Sequence, residues 1–406
     1  MGLGDDPSDA VEAALGVIAD REPVVRAWAF LDPAAAPAVA SDGKLRGVTI
    51  GVKDVIDTAD MPTEYGSAIY AGHRPVADAG AVAMLRGAGA VVLGKTVTAE
   101  LAWFTPGPTT NPWRPTHTPG GSSSGSAAAV GAGMVDVALG TQTAGSVIRP
   151  ASFCGVFGLK PTFGSVPTSG VKAAAPSLDT VGVFARDVDT LAAVASVLVG
   201  GFTSADDAGD TPVRFAFVPT DEWLRADDDC RAVVDAAAGA VGAGDPVDLP
   251  PAFTGLAEVQ PVVQAYEGAR ALAWERTFRR TSLSEGLNGI LDWGAAIDHD
   301  EYVAVLERAA TARALTNAFF AGADVLVTPA VVGEAPLGLS ATGDPRFCRL
   351  WTLLGYPTVS VPGSVGSTGL PIGVQLVARP WQEGRLLAAA RVMNDRLLRG
   401  GGGVPS

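Results

Sequence analysis

The run "GVTIGVKDVID" at residues 47–57, with "AGAVAMLRGAGA" at 79–90 and "VVLGKT" at 91–96, decides the fold. The first run is apolar, rich in β-branched residues and opened by glycine, so it reads as a buried strand. The second reads as a helix closed by glycine, and the third as the next strand. Strand, helix and strand joined by short glycine-closed connections are the pattern of an α/β protein. Lys53 stands at the end of the first strand. Its stem enters the fold with the apolar run, and its ammonium lies at the strand's end. Burial disfavours a charged amine and lowers its pKa.

Outward from this unit, residues 8–21 form an amphipathic helix with Val11, Ala14, Leu15 and Ile18 on one face. Residues 111–170 are dense in Gly, Ser, Thr and Pro. A floppy linker is the weaker reading there, because "AAAVGAGM" and "VDVALGTQ" are ordered core patterns inside the stretch. Residues 204–323 carry more charge and long helical periodicity, and read as a helical layer between two halves of one core. Strands return in "ADVLVTPAV", "PTVSVPG" and "LPIGVQLVA", the last two as a hairpin. A final helix spans 382–398, and the tail "RGGGGVPS" at 399–406 is expected to be disordered. The expected organisation is one domain over 1–406. Its core covers about 45–203 and 324–396, and its helical variable region about 204–323.

The chain has 406 residues, 48% of them hydrophobic, and a net charge of −14. That suffices for a large core, and the acidity argues against a nucleic-acid surface. Cys154, Cys230 and Cys348 are far apart, with no CxxC or zinc spacing, so a reduced intracellular protein is expected. Cys154 reads as buried core. The acidic N-terminus has no secretory pattern and no myristoylation signal. No uninterrupted apolar run is long enough to span a membrane. A cytoplasmic location is the expectation.

A serine hydrolase needs a base, and His73, His117 and His299 are each isolated in the sequence. A buried lysine is the alternative. Two serine-bearing runs then become candidates: "TPGGSSSGSAAAVGAG", with Ser122, and "ALGTQTAGSVIRP", with Ser146. In the first, paired glycines permit close backbone approach, and small residues follow on a helix at 126–133. A phosphate cradle is a competing reading, but neither the lysine of a P-loop nor the acidic residue of a dinucleotide site is present. A purely structural glycine turn is another. In the second run, the backbone amides of Thr143, Ala144, Gly145 and Ser146 can form a nest for an oxyanion. The competing reading is a hydroxyl-rich turn in which Ser146 only caps a structure.

Together these runs resemble the amidase signature family. Lys53 matches the lysine of "G(V/I)KD", Ser122 the serine of "GGSS" and Ser146 the serine of "GT-x-T-x-GS", with the two serines 24 positions apart. "MPTEYGSAIY", "TNPWRPTHTPGG", "FCGVFGLKPT", "SLDTVG" and "GLPIGVQLVA" extend the likeness over most of the chain. It is most similar to the malonamidase-like branch. Gln142 stands where the family usually has Asp, and Arg149 lies three residues after Ser146 rather than two; that branch shares both departures. Ala144, in place of glycine, is a departure it does not share.

The resemblance implies an α/β fold with a mixed central sheet covered by helices on both sides. It implies a Ser-cisSer-Lys amidase in which Lys53, through Ser122, activates Ser146 for acyl transfer, without metal or organic cofactor. Gly120, Gly121, Gln142 and Arg149 are the expected substrate contacts, with Arg149 holding a substrate carboxylate as a bidentate fork. Against that stands a structural arginine on buried carbonyls. Asp54 and Asp57 read as structural. The expected partner is a small-molecule amide, malonamate-like where it carries a carboxylate. No nucleic acid and no membrane are expected, and a homodimer is compatible with such a chain. The alternatives are a glutaminase-type subunit of a tRNA-dependent amidotransferase and a catalytically silent binding protein on the same fold.

Overall fold

The computed structural model describes residues 7–32, 43–203 and 212–400, and in them ten strands form one sheet. The strands are Trp28–Leu31 (β1), Thr49–Lys53 (β2), Val91–Thr96 (β3), Val137–Gln142 (β4), Phe157–Lys160 (β5), Thr180–Ala185 (β6), Phe215–Phe217 (β7), Val325–Pro329 (β8), Thr358–Val365 (β9) and Pro371–Ala378 (β10). Their order across the sheet is β1-β3-β2-β4-β6-β5-β9-β10-β8-β7. β2 lies between β3 and β4 and runs parallel to both. Parallel neighbours need a crossover. The helices Gly80–Gly87, between β2 and β3, and Ser124–Gly131, between β3 and β4, supply them. β9 and β10 form the expected antiparallel hairpin, with Thr358 opposite Val377.

Side chains alternate across each strand, so each face has its own core. Ile50, Val52, Val137 and Leu139 pack with Leu191 and Val194 of the helix Val188–Leu198 and with Leu386 and Met393 of the helix Glu383–Arg399. Ala138 faces the other way, against Ala127, Ala128 and Val130 of Ser124–Gly131. Helices thus cover both faces of a mixed sheet, as the sequence implies. The small residues of Ser124–Gly131 have a physical cause. A Cβ on Gly125 would sit 2.2 Å from the Ala27 carbonyl oxygen and 2.4 Å from Val97 N.

Three differences from the sequence reading emerge. The first helix is longer, Pro7–Val25, and buries Val11, Ala14 and Ile18 but not Leu15. The segment read as a helical layer also contributes a strand, β7, at the sheet edge, parallel to β8. From the same segment, Cys230, Val234 and Ala237 of the helix Asp228–Val241 enter the main core. The last helix reaches Arg399, and residues 401–406 of the expected disordered tail lie outside the described residues, as do 204–211. No helix among the described residues is long and apolar enough to cross a membrane.

Candidate active site

Val52 faces the main core, so Lys53, one residue on, projects from the opposite face of the sheet, toward the run that starts the helix Ser124–Gly131. Its Nζ is hydrogen-bonded to Ser122 Oγ and to Thr141 Oγ1, each at 2.8 Å. The side chain is wholly buried. That burial pulls its pKa down to about 7, against the opposing pull of the Asp179 carboxylate. A large part of the amine is therefore neutral near pH 7. Lys95 and Lys160 are also buried, with pKa values lowered by desolvation to about 8 and about 7. Lys95 donates to the Ile56 carbonyl and Thr63 Oγ1, and Lys160 to the Pro161 carbonyl. Of these three lysines, Lys53 alone touches a serine hydroxyl, so geometry singles it out where burial does not.

Ser122 follows a tight glycine pair. Gly120 has φ +82°, and a Cβ there would stand 2.8 Å from Pro150 Cα. The Gly121–Ser122 peptide is cis. Arg149 grips this segment from behind. Its Nη2 donates to the Gly121 carbonyl at 2.6 Å and to Thr342 Oγ1 at 3.2 Å, and its Nη1 to the Gly343 carbonyl at 2.7 Å. The guanidinium expected to hold a substrate carboxylate is buried and engaged with backbone carbonyls. The physical reason is local: the loop carrying Thr342 and Gly343 closes over it. Gly120 and Gly121, also expected against the substrate, pack on Pro150 and Thr342.

Ser146 lies in the turn that leaves β4, at 8% exposure, against 1% for Ser122. Among the described residues, Ser146 Oγ has no hydrogen-bond partner, and none accepts from the backbone amides of Thr143, Ala144, Gly145 or Ser146. The next two amides are used: Gln142 Oε1 accepts from Val147 N at 2.8 Å and Ile148 N at 3.0 Å. Gln142 Nε2 donates to Thr352 Oγ1 at 2.9 Å. Gln142 thus ties the end of the turn to Thr352. The turn is further held by Asp179, whose carboxylate accepts from Thr143 Oγ1 at 2.6 Å and from the amides of Ala174 and Ala175. Desolvation pushes the Asp179 carboxyl up to about 6 despite these bonds.

The remaining expectations fall away from this centre. The Asp54 carboxylate accepts from Glu64 N, and Asp57 accepts from Tyr65 Oη. His73 meets Tyr65, His117 meets Thr116 and His299 meets Tyr266; none bonds Ser122 or Ser146. All three cysteines are buried and free. The described residues hold no cluster suited to a metal ion. Sequence reading missed Thr141, Asp179, Gln260 and Thr352. The first two stand inside quoted runs, where their hydroxyl and carboxyl groups were the available signal. Because Asp179 raises the Lys53 pKa, Asp179→Asn is expected to move the rising limb of the pH–rate profile to lower pH. An unmoved or upward-shifted limb in a well-folded variant would remove Asp179 from Lys53's electrostatics.

Comparison with known proteins gives a consistent picture. The family model "Amidase" matches residues 9–387. The chain is 35% identical to the A subunit of the chloroplastic/mitochondrial glutamyl-tRNA(Gln) amidotransferase of Oryza sativa subsp. indica, over 93% of this chain and 83% of that protein. Its fold superposes on the A subunit of the Thermotoga maritima glutamyl-tRNA(Gln) amidotransferase with a TM-score of 0.84 at 28% identity, covering 96% of this chain and 92% of that one. Native peptide amidase of Stenotrophomonas maltophilia gives 0.80 at 29% identity, covering 96% and 93%.

Proposed function

The chain belongs to the amidase family, and from that premise we propose that it hydrolyses a carboxamide through an acyl-enzyme on Ser146. Neutral Lys53 takes the Ser122 proton as Ser122 takes the Ser146 proton. Ser146 Oγ then bonds to the amide carbon. The tetrahedral oxyanion is met by the unpaired amides of the 143–146 turn. The C–N bond breaks as the proton returns through Ser122 to the leaving nitrogen, which departs as ammonia or amine. Water cleaves the ester by the same relay. The supporting observation is the buried Lys53 amine, near neutrality in pKa and 2.8 Å from Ser122 Oγ.

For the substrate, the likeness to the A subunits of two amidotransferases favours a glutamine-type carboxamide, with the chain acting beside protein partners on a tRNA-linked acceptor. This moves ahead of the malonamate-like reading, whose residue-level support was a free Arg149. A stand-alone amidase on small neutral amides is the second reading. The net charge of −14 favours it, since such a surface repels RNA. Ammonia release by the isolated chain from glutamine, malonamate, propionamide and a peptide C-terminal amide separates the cases. Turnover of glutamine alone supports the amidotransferase reading, and turnover of neutral amides the stand-alone one. Marked preference for malonamate would restore the carboxylate-directed reading. No turnover and no acylation of Ser146 by an activated ester would sink the hydrolase reading.

Arg149→Ala is expected to lower activity on charged and neutral amides alike, together with thermal stability. It strands the buried Gly121 carbonyl, at a cost of about 1–3 kcal/mol, and removes the partner of the half-buried Gly343 carbonyl. Kinetics on malonamate and propionamide with one preparation check this. A selective rise in KM for malonamate would return Arg149 to the substrate.

A further inference from the structure

We propose that Gln260 and Thr352, which the chemistry above does not use, are positioning residues that aim the oxyanion-binding amides of Ala144 and Gly145. The inference rests on the Ser146 acyl-enzyme reading and deepens it.

In a trans peptide the carbonyl and the following N–H point in opposite directions, so fixing one fixes the other. Gln260 Nε2 donates to the Thr143 carbonyl at 3.0 Å, which turns the Ala144 N–H away from Gln260. Thr352 Oγ1 donates to the Ala144 carbonyl at 2.8 Å, which turns the Gly145 N–H away from Thr352. The only cis peptide of the described chain is elsewhere, at Gly121–Ser122. The two amides so directed are among those with no acceptor in the described protein.

Both supports are buried on packed helices. Gln260 is fully buried on the helix Leu256–Ala271, and its Nε2 also reaches Gln264 Oε1 at 3.3 Å. Thr352 is buried on the helix Arg346–Leu353. Those two helices pack against each other. Thr352 Oγ1 is itself held by Gln142 Nε2, and Gln142 Oε1 caps the far end of the turn at Val147 and Ile148. The turn is therefore strapped at its middle by Thr352 and at its end by Gln142, and the two straps are joined. A carboxylate at 142 could accept from the amides but could not donate to Thr352. Glutamine at 142 and threonine at 352 thus work as a pair. Preorganised donors stabilise an oxyanion without reorganising during the reaction. Loosening either carbonyl lets its peptide plane rotate and takes the donor off target.

The test follows acylation of Ser146 by p-nitrophenyl acetate, read from the p-nitrophenolate burst, so it does not depend on the natural substrate. Thr352→Val keeps shape and removes the donor. It is expected to slow acylation about 10- to 100-fold with KM little changed. Thr352→Ser, which keeps the hydroxyl, largely restores the rate. Gln260→Leu, on the other helix, is expected to act in the same direction and keeps the proposal testable if Thr352→Val folds poorly. Inhibition by 1,1,1-trifluoro-2-butanone, whose adduct carries the oxyanion, should weaken in step with acylation. Unchanged acylation in Thr352→Val and Gln260→Leu, with acylation abolished in Ser146→Ala, overturns the positioning role alone. So does a loss confined to KM, or a loss that Thr352→Ser does not recover. Acylation at the full rate in Ser146→Ala overturns the nucleophile reading and this inference with it.

Discussion

Ser146→Ala is expected to abolish turnover and leave the fold in place. Loss of a covalent nucleophile costs about four to six powers of ten in rate, and no neighbouring serine can replace it. Ser123 Oγ donates to the Thr141 carbonyl, and Ser122 Oγ is held by Lys53. The variant should be stable for a reason visible in the site. Ser146 Oγ has no hydrogen-bond partner among the described residues, so its removal strands no buried group. The residue is small and slightly exposed, so little cavity forms. Ammonia release, with thermal melting as the control, checks both halves. Retention of more than a few per cent of activity by the pure variant would show that another group attacks the amide. Mass spectrometry after p-nitrophenyl acetate locates the acyl group: the wild-type peptide carrying Ser146 gains it, and the variant peptide does not.

Much of the fold was legible because long apolar runs have few alternatives. β2, β3 and the β9–β10 hairpin each begin or end within a few residues of runs bounded by glycine or proline. β7 was not legible. Three residues, "FAF", carry no period, and they sit in a stretch whose charge and helical repeat point elsewhere. Neither was its pairing with β8, more than a hundred residues on, encoded in any local pattern.

The candidate site divides in the same way. Lys53, Ser122 and Ser146 stand in runs with unusual residue content, and burial of the lysine follows from its strand. Arg149 and Gln142 could be recognised as part of the site, but their partners could not. A guanidinium three residues after Ser146 suits a ligand carboxylate or a backbone carbonyl equally well. The partners it meets here, Gly343 and Thr342, come from a loop nearly two hundred residues later. Gln260 and Thr352 reach the turn after β4 from separations of 117 and 208 residues. Supports of this kind are invisible to spacing because helix packing, not sequence proximity, brings them in.

Lys53→Met should remove activity and, at and below neutral pH, stabilise the protein. The first effect follows from loss of the one base that, among the described residues, contacts Ser122 Oγ. General-base catalysis contributes about 10²–10⁴-fold, and the lysine also serves as the acid for the leaving group. In the wild type, kcat/KM should rise through about pH 7 as the buried amine loses its proton. The stability effect follows from the same pKa. Burial holds the folded amine at about 7, below its ordinary 10.5. Between those values the unfolded chain binds more protons than the folded one, so Lys53's contribution improves as pH rises. Its penalty is full below about pH 7 and gone above about 10.5. At roughly 1.4 kcal/mol per pH unit, the full penalty is a few kcal/mol. Methionine carries no such penalty, although it forfeits the bonds to Ser122 and Thr141. The stability difference between variant and wild type should therefore favour the variant most at pH 6.5–7 and shrink toward pH 10. Lys95 and Lys160 titrate in both proteins and cancel in that difference. Urea unfolding across this range measures it. A difference that stays flat with pH would mean that Lys53 is not held neutral by burial, and a working Lys53→Met enzyme with its rising limb intact would remove the lysine from the reaction.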